Sequence, residues 1–281
     1  MSASRRPGPC ATGSPEVATS TAFDWGARTY IFGVLNVTPD SFSGDGTIDA
    51  STALAHALAM RAEGADVIDV GGESTRPGHT PISAAEELRR IEPVVAALIE
   101  RGLLVSIDTR KASVAQRAIE LGARIVNDVS GMADRDMAAV VSRSRAWIVL
   151  MDDRDVRDAE DPVGLVRKNL AALVDRADRA GIDRERLILD PGFGFGKGPR
   201  ENLAVLREIG RLRELRLPLL IGTSRKSTVG KVLGDLPPEE RVEGTAATVA
   251  IAIAYGADAV RVHEVREMAR VARMADAIVR G

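Results

Sequence analysis

The chain has 281 residues and a formal net charge of -2, from 38 lysines and arginines against 40 aspartates and glutamates. This balance and an aromatic content of 3% disfavour a nucleic-acid partner, which requires a basic face or base-stacking side chains. Cys10 is the only cysteine, which excludes an intrachain disulfide and a cysteine cage for a metal. No apolar run reaches the ~18 residues of a membrane span, and no apolar signal segment follows the basic start. We therefore expect a cytoplasmic protein without a nucleic-acid or membrane partner.

Two kinds of segment alternate along the chain after its first residues. Residues 1–22 are rich in Ser, Pro, Gly, Ala and Thr without a repeat, and we expect them to form an unstructured tail. From Phe23 onward, short runs rich in β-branched residues alternate with longer segments whose apolar residues recur at helical spacing. Most of the short runs are continuously apolar, as expected of parallel strands covered on both faces. The predicted strands are residues 30–37, 66–72, 103–109, 124–130, 146–151, 187–192, 218–224 and 259–263.

Single residues mark several helix ends and support the same division. Ser83 and Glu86 have the spacing of a capping box, and Asp161 before Pro162 is typical of a helix N-terminus. Glycines that close helical segments just before a strand are Gly64, Gly102, Gly122, Gly181 and Gly256. Residues 23–281 match the ~250 residues of a single (β/α)8 TIM barrel, without an internal linker. An open, doubly wound sheet is the alternative fold.

Polar residues follow nearly every predicted strand, at the end where such barrels carry their active sites. These residues are Asn36, Glu73 to Arg76, Asp108, Asn127, Asp128, Asp152, Asp190, Ser224 to Lys226, Arg261 and His263. The cations follow strands 2, 7 and 8, and because loops after strands 7 and 8 often bind phosphate, we expect a phosphate or diphosphate ligand. The carboxylates and amide after strands 3, 4 and 6 suit a metal or a heterocycle rich in hydrogen-bond donors. Asp108 and Asn127 have the alternative role of helix caps.

Several common motifs do not fit. The glycines of DPGFGFGK (190–197) are misplaced for a dinucleotide-binding loop and for a Walker loop. GTSRK (222–226) ends in lysine where the nucleophile elbow of a serine hydrolase needs glycine. His56 and His79 have no histidine partner one helical turn away, which disfavours a zinc site.

Ordered motifs at the predicted strand ends resemble the dihydropteroate synthase family, folate-pathway barrels that join a pterin to p-aminobenzoate. The motifs are GVLNVTPDSFS (33–43), DVGGESTRPG (69–78), SIDT (106–109), NDVSG (127–131), LDPGFGFGK (189–197), TSRKS (223–227) and RVH (261–263). The resemblance implies that 7,8-dihydropterin-6-ylmethyl diphosphate and p-aminobenzoate give 7,8-dihydropteroate and diphosphate. It also implies Mg²⁺ as cofactor and a homodimer.

The resemblance assigns roles to most of the residues at the strand ends. Around the pterin it places Asp108, Asn127, Asp190 and Lys226, and a carboxylate such as Asp190 suits the adjacent amino and ring N–H groups. At the diphosphate it places Asn36, Arg261 and His263, with Asn36 also the expected Mg²⁺ ligand. Around p-aminobenzoate it places Thr75, Arg76, Phe195 and Ser224. The expected catalytic residues are Lys226, Asp108 and Asp45.

The implied reaction is dissociative: diphosphate leaves first, and the neutral arylamine then attacks a cationic methylene group. Two positions depart from the family pattern. Asp45 lies one residue later than the aspartate of the family's S-F-S-D-G-G, and Asp152 replaces the histidine of L-M-H-M. The alternatives are a noncatalytic pterin-binding homologue and a pterin-dependent methyltransferase barrel. The cationic strand ends argue against the methyltransferase, because methyl transfer has no diphosphate to hold.

Overall fold

Parallel strands alternate with helices throughout the part of the chain that the structure, a computed structural model, describes: residues 23–38, 50–74 and 80–281. The strands are β1 (Tyr30–Asn36), β2 (Val67–Gly71), β3 (Val105–Asp108), β4 (Ile125–Asp128), β5 (Trp147–Met151), β6 (Leu187–Asp190), β7 (Leu220–Ile221) and β8 (Ala259–Val262). Each strand lies within one of the predicted segments, so the predicted strand count is confirmed for the described residues. The predicted tail, residues 1–22, lies outside them.

Helices connect consecutive strands. They are α1 (Ala50–Glu63), α2 (Ala84–Glu100), α3 (Ala112–Leu121), α4 (Met137–Ser142), α5 (Pro162–Arg179), α6 (Pro199–Arg207), α7 (Ser227–Val232), α8 (Val242–Ala254) and α9 (Val265–Val279). Short 3-10 helices cover Arg184–Arg186, Ile209–Leu215 and Pro238–Glu240. Among the described residues, no helix is long and apolar enough to span a membrane.

The predicted helix ends are largely as expected. The Asp161 carboxylate accepts from the Gly164 amide at 3.0 Å, and the Ser83 hydroxyl accepts from the Glu86 amide at 3.2 Å. The Glu86 carboxylate does not complete a capping box, because it pairs instead with Arg89 and Arg90 on the next turn. The glycines predicted to end helices all have positive φ, from 69° at Gly102 to 117° at Gly122.

The sheet closes on itself. Its strand order is β6-β5-β4-β3-β2-β1-β8-β7, with every neighbouring pair parallel. A parallel bridge between Leu189 and Leu219 joins the two ends, and the Leu189 amide donates to the Pro218 carbonyl at 2.8 Å. The fold is therefore a (β/α)8 barrel, and the alternative of an open sheet is excluded.

Apolar side chains fill the barrel and close its N-terminal end. Phe32, fully buried, belongs to the interior cluster, whereas its neighbour Ile31 belongs to the larger cluster between strands and helices. At the N-terminal end, Phe23 stacks on Trp25 with ring centroids 4.4 Å apart, and its edge contacts reach Tyr30 and Trp147. Aromatic rings thus line this end, and in barrels of this kind the binding site lies at the opposite, C-terminal end of the strands.

Candidate active site

The polar ends of the first four strands lie side by side at the C-terminal mouth of the barrel. The strand register pairs Asn36 with Gly71, Gly71 with Asp108, and Asp108 with Asn127. A Cβ atom at Gly71 would lie 3.8 Å from both Asn36 Oδ1 and Asp108 Oδ2. The glycine therefore leaves a shared space between the amide and the carboxylate.

A hydrogen-bonded network joins β8 to β2, β3 and β4 below this mouth. Arg261 donates from Nε to Asp69 Oδ2 at 2.6 Å and from Nη2 to Asp108 Oδ2 at 2.7 Å. Asn127 Nδ2 donates to the same Asp69 oxygen at 3.0 Å. Asp69, which the sequence analysis missed, is completely buried. Its place inside an apolar strand run is the signal that marks it in the sequence.

Asp108 is the most perturbed carboxylate of this network. Burial raises the pKa of Asp108 to about 7, a rise that Arg261 opposes and Asp69 reinforces. Within the described part of the chain, Asp108 Oδ1, Asp69 Oδ1 and Ser106 Oγ are buried and accept or donate no hydrogen bond. Buried polar atoms are rarely left unsatisfied, so these atoms indicate that a polar ligand completes the network.

Asp190 lies on the opposite wall, at the end of β6. Its Oδ1 accepts from the Gly192 amide at 2.7 Å, which fixes the carboxylate at the start of the glycine loop. Burial raises the pKa of Asp190, and the Gly192 hydrogen bond opposes the rise. One oxygen thus serves the loop, and a carboxylate has further acceptor capacity for a ligand.

Lys226 and Phe195 contact each other at the mouth, from the loops after the neighbouring strands β7 and β6. Lys226 Nζ lies 4.0 Å from the centroid of the Phe195 ring, which is a cation–π distance. Gly194 makes the approach possible: its φ is +84°, and a Cβ there would lie 3.0 Å from Lys226 Cδ. The glycine loop thus brings an aromatic face against an ammonium group.

A second polar cluster joins the ends of β7 and β8. The Ser224 hydroxyl lies 2.9 Å from His263 Nδ1 and 3.2 Å from a carboxylate oxygen of Glu264. Arg225 donates to the other Glu264 oxygen at 2.5 Å. Arg225 and Arg261, both expected among the phosphate-binding cations, therefore have carboxylate partners. The sequence analysis did not predict Glu264, because this residue directly follows a predicted strand but belongs to none of the recognised motifs.

Three candidate residues lie outside the described residues: Asp45, Thr75 and Arg76. The structure does show how the segment that leads to Thr75 begins. The carboxylate of Glu73 binds Arg110 at 2.7 Å and also pairs with Lys111, which donates to Glu87 at 2.6 Å. The described start of the loop after β2 is therefore anchored at Glu73 by cations that follow β3.

Comparison with known proteins identifies the family of the chain. The family model described as pterin binding enzyme matches residues 32–263. The dihydropteroate synthase of Synechocystis is 46% identical over 270 residues, which cover 92% of this chain and 93% of that protein. The Bacillus subtilis dihydropteroate synthase is 46% identical over 262 residues and covers 92% of each chain.

Solved structures give the same result. A crystal structure of the Clostridium difficile dihydropteroate synthase in the presence of pteroic acid has a TM-score of 0.88 and 45% identity, covering 92% of this chain and 100% of that one. The Xanthomonas albilineans enzyme with 4-aminobenzoic acid has a TM-score of 0.85 and 40% identity, covering 89% of this chain and 93% of that one. The chain therefore belongs to the pterin-binding enzymes, and within them to the dihydropteroate synthase family.

Proposed function

We propose that the barrel mouth joins 7,8-dihydropterin-6-ylmethyl diphosphate to p-aminobenzoate and releases 7,8-dihydropteroate and diphosphate. Family membership makes the chain a transferase of folate biosynthesis. The observation that best supports these substrates is the set of buried, unpartnered acceptors at Asp69 and Asp108, among the described residues, opposite the carboxylate of Asp190. A pterin has amino and ring N–H donors on several edges and matches such a set.

In this proposal the pterin lies between the two walls of carboxylates. Asp190 accepts from the amino group and the adjacent ring N–H, and Asp108 and Asn127 hold other ring edges. Lys226 donates toward the ring carbonyl. Burial raises the pKa of Asp108 to about 7, and a carboxyl group perturbed in this way is typical of a functional site.

The diphosphate lies at the ends of β1 and β8, where Asn36, Arg261 and His263 hold it. Arg261 already bridges Asp69 and Asp108, so its guanidinium is oriented before the substrate enters. The Asn36 amide oxygen beside the Gly71 gap fits Mg²⁺, which prefers oxygen ligands and commonly takes few from protein and the rest from phosphates and water. Mg²⁺ bound there would neutralise charge on the departing diphosphate.

The second substrate, p-aminobenzoate, packs against Phe195 and near Ser224, with Thr75 and Arg76 completing its site. The Ser224 hydroxyl is held by His263 and Glu264, so its position beside the p-aminobenzoate site is fixed before the substrate binds. The Phe195 ring provides an apolar surface for the aromatic ring of the substrate.

The reaction proceeds in two steps at this mouth. The bond between the pterin methylene carbon and the diphosphate oxygen breaks, and the electron pair leaves with the diphosphate. The buried carboxylates of Asp108 and Asp190 stabilise the cation that remains on the pterin, and Asp45 adds to this stabilisation. The nitrogen of p-aminobenzoate then attacks the methylene carbon, forms the new C–N bond and loses one proton to solvent. No covalent bond to the protein is formed.

A homodimer in the cytoplasm is the proposed state of the protein. Helices α8 and α9 pack against each other and expose large apolar side chains. Those side chains are Ile251, Tyr255, Met274, Ile278 and Val279. Large apolar side chains exposed together are typical of a protein interface.

The proposed activity is tested by supplying both substrates with Mg²⁺ and measuring both products. We expect equimolar 7,8-dihydropteroate and diphosphate, and far slower diphosphate release when p-aminobenzoate is omitted. Tight binding of the pterin diphosphate without release of diphosphate would instead identify a noncatalytic homologue.

A further inference from the structure

A buried ion pair joins the end of β5 to the glycine loop after β6. Lys197 Nζ lies 3.5 Å from Asp152 Oδ2, and neither side chain has exposed surface. Burial raises the pKa of Asp152 and lowers that of Lys197, and in each case the charge of the partner opposes the shift. Because the desolvation of two buried charges offsets most of their attraction, stability alone does not explain such a pair.

The lysine connects the loop to β5 through backbone carbonyls. Lys197 Nζ donates to the Asp152 carbonyl at 2.9 Å and to the Phe195 carbonyl at 3.0 Å. The Phe195 ring in turn lies 4.0 Å from Lys226 Nζ. A continuous chain of contacts therefore runs from Asp152 to the aromatic ring and the ammonium group at the mouth.

The glycine loop packs closely against the segment that follows β5. Gly192 and Gly196 have positive φ, and a Cβ on either would overlap the carbonyl of Asp152 or Arg154. The Val156 amide donates to the Gly196 carbonyl at 2.9 Å, and the Asp152 amide donates to the Asp190 carbonyl at 3.0 Å. The position of the loop is thus set by the residues that follow β5.

We infer that Asp152 and Lys197 are positioning residues for the transfer: together they fix the Phe195 ring against p-aminobenzoate and Lys226 against the pterin. Asp152 stands where the family resemblance leads us to expect histidine, so the carboxylate is a feature of this chain. The inference rests on the proposed placement of the substrates at Phe195 and Lys226. A pair that only tethers the loop would affect stability without affecting substrate use.

The test uses Asp152→Asn, Lys197→Met and the double variant, with Asp258→Asn as control. Asp258 is a buried carboxylate at the other end of the barrel, where it accepts from Arg213 at 2.8 Å and from the Leu219 amide at 2.9 Å. The melting temperature, kcat, the KM for p-aminobenzoate and the calorimetric Kd for the pterin are measured for each full-length protein.

We expect Asp152→Asn to lower the melting temperature, because it leaves a buried ammonium group without its counter-charge. The double variant should have a melting temperature close to that of the wild type, since no unpaired buried charge remains. Its KM for p-aminobenzoate should nevertheless stay raised by about tenfold, because the Phe195 carbonyl has lost its donor and the ring is misplaced. The control should lower the melting temperature and leave KM unchanged.

A second comparison does not depend on the double variant. In a Phe195→Ala background, Asp152→Asn should no longer raise KM, since the ring through which it acts is gone. The inference is overturned if KM in the double variant equals that of the wild type, or if Asp152→Asn acts equally in both backgrounds. Wild-type protein that releases no diphosphate with both substrates overturns the proposed function itself, and the inference with it.

Discussion

The two ends of the barrel are built from the same eight strands and serve opposite purposes. At the N-terminal end, the Phe23 and Trp25 rings contact each other, and each also contacts the rings of Tyr30 and Trp147. At the C-terminal end, Asp69 and Asp108 are buried beside one guanidinium, with carboxylate oxygens left unsatisfied by the described residues. The first arrangement lowers the free energy of the folded chain. The second costs desolvation energy, which a ligand can offset.

If the C-terminal end is the binding site, replacing Asp190 should have the largest effect on ligand affinity. Asp190→Asn exchanges an anionic acceptor for an amide that presents a donor to a donor-rich ring edge. Loss of a charge-assisted hydrogen bond costs about 2 to 3 kcal/mol, which corresponds to roughly a hundredfold weaker pterin binding. Calorimetry with a pterin measures the loss, and circular dichroism checks that the fold is intact. Unchanged affinity would remove Asp190 from the pocket.

Changes at the N-terminal end should alter stability and leave substrate use unchanged. Trp147→Ala removes an aromatic ring that contacts both Phe23 and Trp25. We expect the free energy of unfolding to fall by about 2 to 3 kcal/mol, less than for a fully buried ring because Trp147 is partly buried. Urea denaturation gives this value, and the KM for each substrate should match that of the wild type. A shift in either KM would show that the two ends are coupled.

Two ligands that differ in charge can show whether Arg261 at the C-terminal end binds the diphosphate directly. Arg261→Ala should weaken binding of the pterin diphosphate by about tenfold more than binding of the corresponding pterin alcohol, since only the former presents an anion. Arg261→Lys retains the charge and serves as the matched variant. Equal losses for both ligands would mean that Arg261 acts only by orienting Asp69 and Asp108.

Asp108 at the C-terminal end should also make the stability of the protein depend on pH. Its pKa of about 7 lies above that of an unfolded aspartate, so the folded protein holds the proton more tightly than the unfolded chain. Protonated Asp108 therefore stabilises the fold fully below about pH 4, and this contribution is lost as the pH rises through about 7. Relative to Asp108→Asn, the wild type should lose unfolding free energy from about pH 4 to about pH 7 and change little above that. A constant difference would place the pKa of Asp108 outside this range.

The two ends also differ in which of their features can be predicted from the sequence. The strands and their polar C-terminal ends are local features, because apolar runs, helix caps and terminal glycines each occupy a few neighbouring residues. The pairing of Arg261 with Asp69 joins residues 192 positions apart, and only the strand register brings them together. The aromatic cluster around Tyr30 depends in the same way on β1 and β5 meeting across the barrel. Such long-range contacts leave no periodic signal in the sequence.

Diphosphate release by matched variants of the two ends tests the central claim most directly. With both substrates and Mg²⁺, at a temperature well below every melting transition, Trp147→Ala should release diphosphate at close to the wild-type rate per folded molecule. At a pterin diphosphate concentration that half saturates the wild type, Asp190→Asn should lose most of the activity. Loss of turnover in Trp147→Ala with full turnover in Asp190→Asn would contradict the assignment of the chemistry to the C-terminal mouth of the barrel.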